Sequence, residues 1–102
     1  VLHGSDSLYN KALHYYFKAL TIAEELGNKN SAAAILGNIG SLYISIKKYA
    51  EVEKYLAEAL KLDKEIGALN QEMDVEDYFT DLYAKTNRHQ LALEHYKKAI
   101  VL

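Results

Sequence analysis

Apolar residues recur along this chain at the three- and four-residue spacing of an α-helix, and the same apolar positions return after 40 residues. Segment 9–22 aligns in this way with 49–62 and with 89–102. The aligned positions are Tyr9, Ala12, Tyr16, Ala19, Leu20 and Ile22, then Tyr49, Val52, Leu56, Ala59, Leu60 and Leu62, then His89, Ala92, Tyr96, Ala99, Ile100 and Leu102. A constant period of this size predicts stacked helical units, because a single unit cannot bury its apolar face alone.

The pattern predicts five helices, at about 8–26, 31–46, 49–66, 70–86 and 88–102. Gly27 and Gly67 follow the first and third helices, where a left-handed cap favours glycine. Asn30 or Ser31 is expected to cap the second helix by accepting a hydrogen bond from a free amide.

Two short turns are expected where one predicted helix follows another directly. Asn87 suits a left-handed turn before the fifth helix, because asparagine tolerates that conformation better than most residues. Lys47 occupies the matching place before the third helix, and lysine there suggests a slightly different turn.

The middle unit has the side-chain sizes of a known repeat. Its first helix carries a large–large–small–aromatic series and its second an aromatic–small–bulky–small series, which are Leu36, Ile39, Gly40 and Tyr43, then Tyr49, Val52, Leu56 and Ala59. Small residues at such places let two helix backbones approach closely. This pattern resembles the tetratricopeptide repeat. The usual period of that family is shorter, and 40 residues overlap the range of HEAT and armadillo repeats, but the signature itself stays in register.

The resemblance implies an all-α fold, a right-handed superhelical solenoid of antiparallel helix pairs with about two and a half repeats. It further implies a concave groove, lined by the first helix of each repeat, in which a peptide or a partner helix lies. We interpret residues 1–102 as a single helical-repeat domain, with a partial repeat at 1–27, a full repeat at 28–67 and a truncated repeat at 68–102.

Both ends of the chain interrupt the repeat, which indicates an excerpt of a longer array. Val1–His3 aligns with the end of a first helix, and Leu102 aligns with a position four residues before the end of the third helix. We therefore expect exposed apolar surface at the ends, contributed by Leu2, Ala99 and Leu102, which could support self-association.

The third unit departs from the repeat at two core positions. Glu76 stands where the middle unit has Leu36, and Thr80 stands where it has Gly40. Because an unpaired charge is very rarely buried, we expect either that the fourth helix is rotated or that its first turns are exposed.

The charge and composition of the chain limit the class of partner that it is expected to bind. The net charge is -2 and the pI is near 6.1, whereas a nucleic-acid binder normally presents a basic face. No apolar run approaches the ~20 residues that span a membrane, so no direct membrane insertion is expected. The lack of cysteine leaves the compartment open, with the cytoplasm slightly favoured over the periplasm.

The residues that carry chemistry are not grouped in any catalytic or metal-binding spacing. His3, His14, His89 and His95 form no His-Glu-x-x-His motif and no pair with a carboxylate four residues away. No serine or threonine has a recognisable base beside it. We therefore expect no enzyme activity, no metal and no cofactor.

The candidate binding surface is the exposed face of the two first helices. On the second helix it comprises Ala34, Asn38, Ser41 and Ser45, and on the fourth it comprises Asp74, Tyr78, Asp81 and Lys85, with Asp77 beside them. Asn38 matches the place where many members of the family hold the ligand backbone. Asp74 and Tyr78 stand where some members clamp a terminal carboxylate with basic residues, so the resemblance does not support that clamp here.

The acids of the fourth helix suggest the charge of the ligand. Because the stretch 72–81, which contains Asp74, Asp77 and Asp81, holds five carboxylates and no cation, a basic or polar ligand is expected. The simpler alternative is a solvated helix face with acids near its N-terminal end.

Three functions are compatible with these observations. The first is a non-catalytic scaffold that binds a protein or peptide in the groove. The second is a sensor or regulatory region of a larger signalling protein, such as a histidine kinase or a transcriptional regulator. The third is a structural segment for self-association.

Overall fold

Five α-helices follow one another in the computed structural model, which describes residues 4–102. They are α1 (Gly4–Glu25), α2 (Lys29–Ser45), α3 (Val52–Ile66), α4 (Leu69–Lys85) and α5 (His89–Val101), with a 3₁₀ turn at Tyr49–Glu51 leading into α3. The described residues contain no strand. The predicted all-α solenoid of helix pairs is therefore confirmed, while the reading of Val1–His3 as the end of a helix lies outside the described residues.

The helices pack as consecutive neighbours. Within each unit, α2 packs on α3 and α4 packs on α5. Between units, α1 packs on α2 and α3 packs on α4. In addition α2 contacts α4 directly. The first helices of successive units therefore lie side by side, which is the placement that a shared binding face requires.

The turns after α1 and α3 each contain a glycine in the left-handed conformation, as predicted. Gly27 and Gly67 adopt φ values of 67° and 68°. In each turn the amide that follows the glycine donates to a carbonyl five residues back, Asn28 N to Ala23 O and Ala68 N to Asp63 O, both at 2.9 Å. These bonds satisfy carbonyls at the helix end that would otherwise lack a partner.

The expected cap at Asn30 or Ser31 is wrong, because α2 begins earlier. Asn28 is the cap residue, and its side-chain Oδ1 accepts a hydrogen bond from the Ser31 amide at 3.0 Å. Ser31 supplies the donor and not the acceptor. The cap therefore follows Gly27 immediately, and only residues 26–28 separate α1 from α2.

The expectation of a different turn at Lys47 is also wrong. Lys47 and Asn87 have nearly equal φ values, 63° and 61°. The turns are closed by equivalent bonds, from Lys48 N to Tyr43 O at 2.9 Å and from Arg88 N to Tyr83 O at 2.8 Å. Packing on both sides of the turn thus overrides the preference of a lysine against positive φ.

Gly40 lies at a close approach between α2 and α3 of the middle unit. A Cβ atom at this position would lie 2.6 Å from Leu56 Cδ2 and 3.0 Å from Leu56 Cγ, and Leu56 is fully buried in α3. The close packing of α2 on α3 that the small residue predicts is therefore present.

Gly40→Leu is expected to lower the free energy of unfolding by about 1–3 kcal/mol, because Leu56 cannot move without displacing its neighbours. Gly37→Ala in the same helix is the control. Its Cβ would meet Val75 Cγ2 at an ordinary 3.7 Å, so alanine should stabilise by about 0.5–1 kcal/mol through its helix propensity. Urea unfolding followed by circular dichroism measures both, and an unchanged curve for Gly40→Leu would contradict the packing described.

Glu76 is buried in α4, with 2% of its surface exposed. Its Oε1 lies 2.6 Å from His95 Nδ1 of α5, and the His95 ring stacks on Phe79 with ring centres 4.6 Å apart. Neither a rotated nor an exposed fourth helix is therefore present. Glu76 occupies the position of a core leucine because His95 of the next helix pairs with its side chain. The Thr80 hydroxyl donates a hydrogen bond to the Glu76 carbonyl at 2.9 Å.

The apolar surface at the C-terminal end includes Leu102, as expected, but not Ala99. Ala99 is 5% exposed, so its predicted exposure is wrong, because it lies on the inner side of α5. Leu102 is 41% exposed, and Leu2 lies outside the described residues. The exposed apolar side chains of α5 include Leu93, Tyr96 and Ile100, those of α1 include Leu8, Tyr15 and Ile22, and Leu26 is exposed in the turn after α1.

None of the helices within residues 4–102 combines the length and the apolar character needed to cross a membrane.

Candidate functional site

A cleft lies where α2 and α4 meet the end of α3. Its volume is about 80 Å³. The lining residues come from all three helices and are Ala33, Ala34, Gly37, Asn38, Asp63, Gln71, Asp74, Val75 and Tyr78. Ala34, Asn38 and Asp74 are exposed whereas Asp63 is fully buried, so the cleft runs from the surface of the two first helices down to α3.

Four of the nine residues predicted from the sequence line this cleft. Ala34 and Asn38 lie on its α2 side, and Asp74 and Tyr78 lie on its α4 side. The face deduced from helical spacing therefore coincides with a real concavity over its first two turns.

The other five predicted residues do not line the cleft. Ser41, Ser45, Asp81 and Lys85 lie further toward the C-terminal ends of α2 and α4, and Asp77 is exposed on α4 beside Tyr78. The Ser45 hydroxyl donates to the Ser41 carbonyl at 3.2 Å. Lys85 Nζ lies 3.6 Å from Asp81 Oδ2, so the expectation that this face lacks cations is wrong for Asp81.

Asp63 is the functional candidate that the sequence reasoning missed. It is 0% exposed, and neither carboxylate oxygen has a hydrogen-bond partner among the described residues. The signal was available, because Asp63 extends the buried stripe of Val52, Leu56 and Ala59 at helical spacing. It also stands 40 residues after Ala23, a small residue of the repeat.

The surroundings of Asp63 disfavour its charged form. Burial, and to a smaller extent the negative charges of Glu72 and Asp74, together raise the pKa of the Asp63 carboxyl from 3.8 to about 6. Asp63 differs from the other buried acid, Glu76, in its hydrogen-bond partners. Both carboxyls are buried, but Glu76 has His95 as a partner at 2.6 Å, whereas the chain provides none for Asp63 among its described residues.

Gln71 adds a second acceptor to the same cleft. Its Nε2 donates to Asn30 Oδ1 at 2.5 Å, which fixes the amide across the junction of α2 and α4. The Gln71 Oε1 atom is buried, and no donor within the described residues reaches it. The cleft thus presents three buried oxygens that accept hydrogen bonds.

The corresponding place one repeat earlier carries no charged side chain. There Ala23, Ser31 and Ile35 stand where Asp63, Gln71 and Val75 stand in the cleft. They line a recess of about 260 Å³ whose other residues, Ala19, Ile22, Leu26 and Asn28, include no charged side chain. The acceptor oxygens are therefore a property of one junction and not of the repeat.

Comparison with known proteins identifies one family. The family model for the tetratricopeptide repeat matches residues 2–65, which is more than half of the chain and includes α1, α2 and all but the last residue of α3. Neither a curated protein nor a solved structure matches the chain.

Proposed function

Because the chain belongs to the tetratricopeptide repeat family, whose repeats generally mediate protein–protein interaction, we propose that it is a non-catalytic scaffold that binds a protein or peptide along α2 and α4. The observation that carries the proposal is the cleft between these helices, since it combines exposed polar side chains with buried acceptor oxygens. Solenoid repeats commonly bind their partners on the surface that neighbouring units form together.

The α2 side of this face supplies hydrogen bonds to a peptide main chain. The Asn38 side chain is exposed at the rim of the cleft, and an amide offers both donors and an acceptor. Ala34 is small and exposed beside it, so a backbone can approach closely. Ser41 and Ser45 continue the polar surface along the helix.

The α4 side supplies negative charge and an aromatic ring. Asp74 and Asp77 are exposed, and neither forms an ion pair with another described residue. Such charges attract a basic ligand and speed its association at low salt. The half-buried Tyr78 ring gives apolar area next to them, while the pair of Asp81 and Lys85 contributes little net charge at the far end.

Peptides selected from a displayed library of random sequences against the intact chain would test this face. For the selected peptides, Asn38→Ala is expected to raise Kd about 2- to 12-fold, because each lost hydrogen bond is worth about 0.5–1.5 kcal/mol. Lys61→Ala, on the exposed side of α3, is the control and should change Kd less than about twofold.

The reverse order of effects overturns the proposal. If Lys61→Ala weakens the selected peptides and Asn38→Ala does not, the second helices bind the partner and the assigned face is wrong. Backbone amide shifts in the nuclear magnetic resonance spectrum of the bound protein give the same decision independently, since they place the peptide against α2 and α4 or against α3 and α5.

A further inference from the structure

We propose that the cleft floored by Asp63 is a specificity pocket for one cationic side chain of the partner, the guanidinium of an arginine or the ammonium of a lysine. The proposal rests on the proposed function for its setting, since the partner must lie along α2 and α4. It adds the chemistry that selects the partner and the residues that recognise it, Asp63 and Gln71.

The first argument is complementarity of donors and acceptors. Asp63 offers two carboxylate oxygens and Gln71 offers Oε1, and no described residue donates to any of them. Lysine and arginine side chains are donors only, with three and five N–H groups respectively. A ligand of this class satisfies all the buried oxygens, whereas a carboxylate or a carbonyl satisfies none.

The second argument is the position of the charge. Asp63 is shielded from bulk water at the floor of the cleft, where a hydrogen bond to a charged group is stronger than at the surface. Asp74 at the rim and Glu72 nearby add negative potential, and the α2 residues that line the cleft are uncharged. Carboxylates of α3 and α4 therefore attract a cation in the cleft, and the α2 residues that line the cleft do not repel it.

The third argument is size. A volume of about 80 Å³ exceeds the roughly 10–15 Å³ that one water molecule requires. It accommodates the polar head of one long side chain but not a folded segment. The apolar stem can lie against Ala34, Val75 and the Tyr78 ring, which also offers its face to a cation.

Two other places among the described residues that resemble this cleft lack its unpaired buried acid. Glu76, the other buried acid, already pairs with His95, and the repeat-equivalent recess has Ala23 in place of Asp63. No three His, Cys, Asp or Glu side chains of the described part lie close enough to hold a metal ion. A single cationic group fits the Asp63 cleft better than a metal does.

The test uses blocked amino acids as probes. Nα-acetyl-arginine methylamide and Nα-acetyl-lysine methylamide are titrated into the ¹⁵N-labelled intact chain, with Nα-acetyl-citrulline methylamide as the uncharged isostere. At least one cationic probe is expected to saturate in the millimolar range and to shift the Gln71 and Asn38 side-chain amides. Asp63→Asn should raise the Kd of that probe about 10- to 100-fold. Glu58→Gln makes the same charge change on the exposed side of α3. It should change the Kd less than twofold, which corresponds to about 0.4 kcal/mol.

The outcomes separate this inference from the proposed function. Equal binding of the citrulline probe, or equal loss in the Asp63 and Glu58 variants, shows general attraction to an acidic protein and overturns the pocket. Absence of saturation by both cationic probes overturns it as well, even when selected peptides still depend on Asn38. A pocket that binds the cationic probe through Asp63 while peptides bind the second helices leaves the pocket standing and overturns the groove.

Discussion

His95→Ala is expected to lower the free energy of unfolding by about 3–5 kcal/mol at neutral pH, because it leaves the buried Glu76 carboxylate without a partner. The loss also removes the stack of the His95 ring on Phe79 and its contact with Tyr83, whose ring centres lie 4.6 and 5.3 Å away. Chemical unfolding at several urea concentrations measures the change.

The repeat itself provides the matched control. Glu76 and His95 correspond to Leu36 and Tyr55 one unit earlier, and the Tyr43–Tyr55 stack corresponds to the Tyr83–His95 contact. The double variant Glu76→Leu with His95→Tyr therefore replaces this polar contact by the leucine and tyrosine of the preceding unit. It is expected to be at least as stable as the native chain, since such replacements are often neutral or stabilising.

A small effect of the single change would contradict this account. If His95→Ala lowers stability by less than about 1 kcal/mol, Glu76 is solvated and not held in the core. If the double variant is as unstable as the single one, the loss arises from the shape of the aromatic cluster and not from the unpaired charge.

Asp63→Asn is expected to stabilise the chain at neutral pH by about 3 kcal/mol. The Asp63 carboxyl has a pKa of about 6 when folded and an ordinary value of 3.8, so the folded state binds its proton more tightly than the unfolded state. Stability from this group is therefore fully present below pH 3.8 and is lost as the pH rises through about 6. Each pH unit of that difference corresponds to about 1.4 kcal/mol.

The pH dependence distinguishes this cause from a change in packing. The advantage of Asp63→Asn should shrink from about 3 kcal/mol at about pH 7.5 to about 1 kcal/mol at about pH 4.5, because the native Asp63 is then mostly protonated. Glu58→Gln is the control for general charge effects, and it should show no comparable gain at either pH. A stabilisation that is equal at the two pH values would show that the charge of Asp63 is not its origin.

Most of the fold could be predicted from local rules. The 40-residue period predicts the repeated helices, and the glycines at 27 and 67 predict the turns after α1 and α3. The failures occurred where tertiary packing decides. Lys47 adopts the turn conformation of Asn87 because the two units pack alike. Glu76 is buried in the core because His95, on a different helix, pairs with its carboxyl group.

The candidate site could be predicted only in part, for a related reason. Ala34, Asn38, Asp74 and Tyr78 follow from helical spacing, because they lie on single faces of α2 and α4. Asp63 and Gln71 depend on how the end of α3 and the start of α4 meet α2, and the bond from Gln71 to Asn30 spans 41 residues. No spacing within one helix reveals such a junction.

The pKa of the Asp63 carboxyl tests the central claim most directly, since that claim is a buried acceptor group without a partner among residues 4–102. Its ¹³C resonance can be followed through a pH titration of the free protein, with Asp63→Asn used to assign the signal. A midpoint near 6, about two units above the ordinary value of 3.8, is the result expected here. A midpoint at or below 3.8 would show a carboxylate that water or a donor already stabilises, and it would contradict both the cleft and the cationic ligand assigned to it.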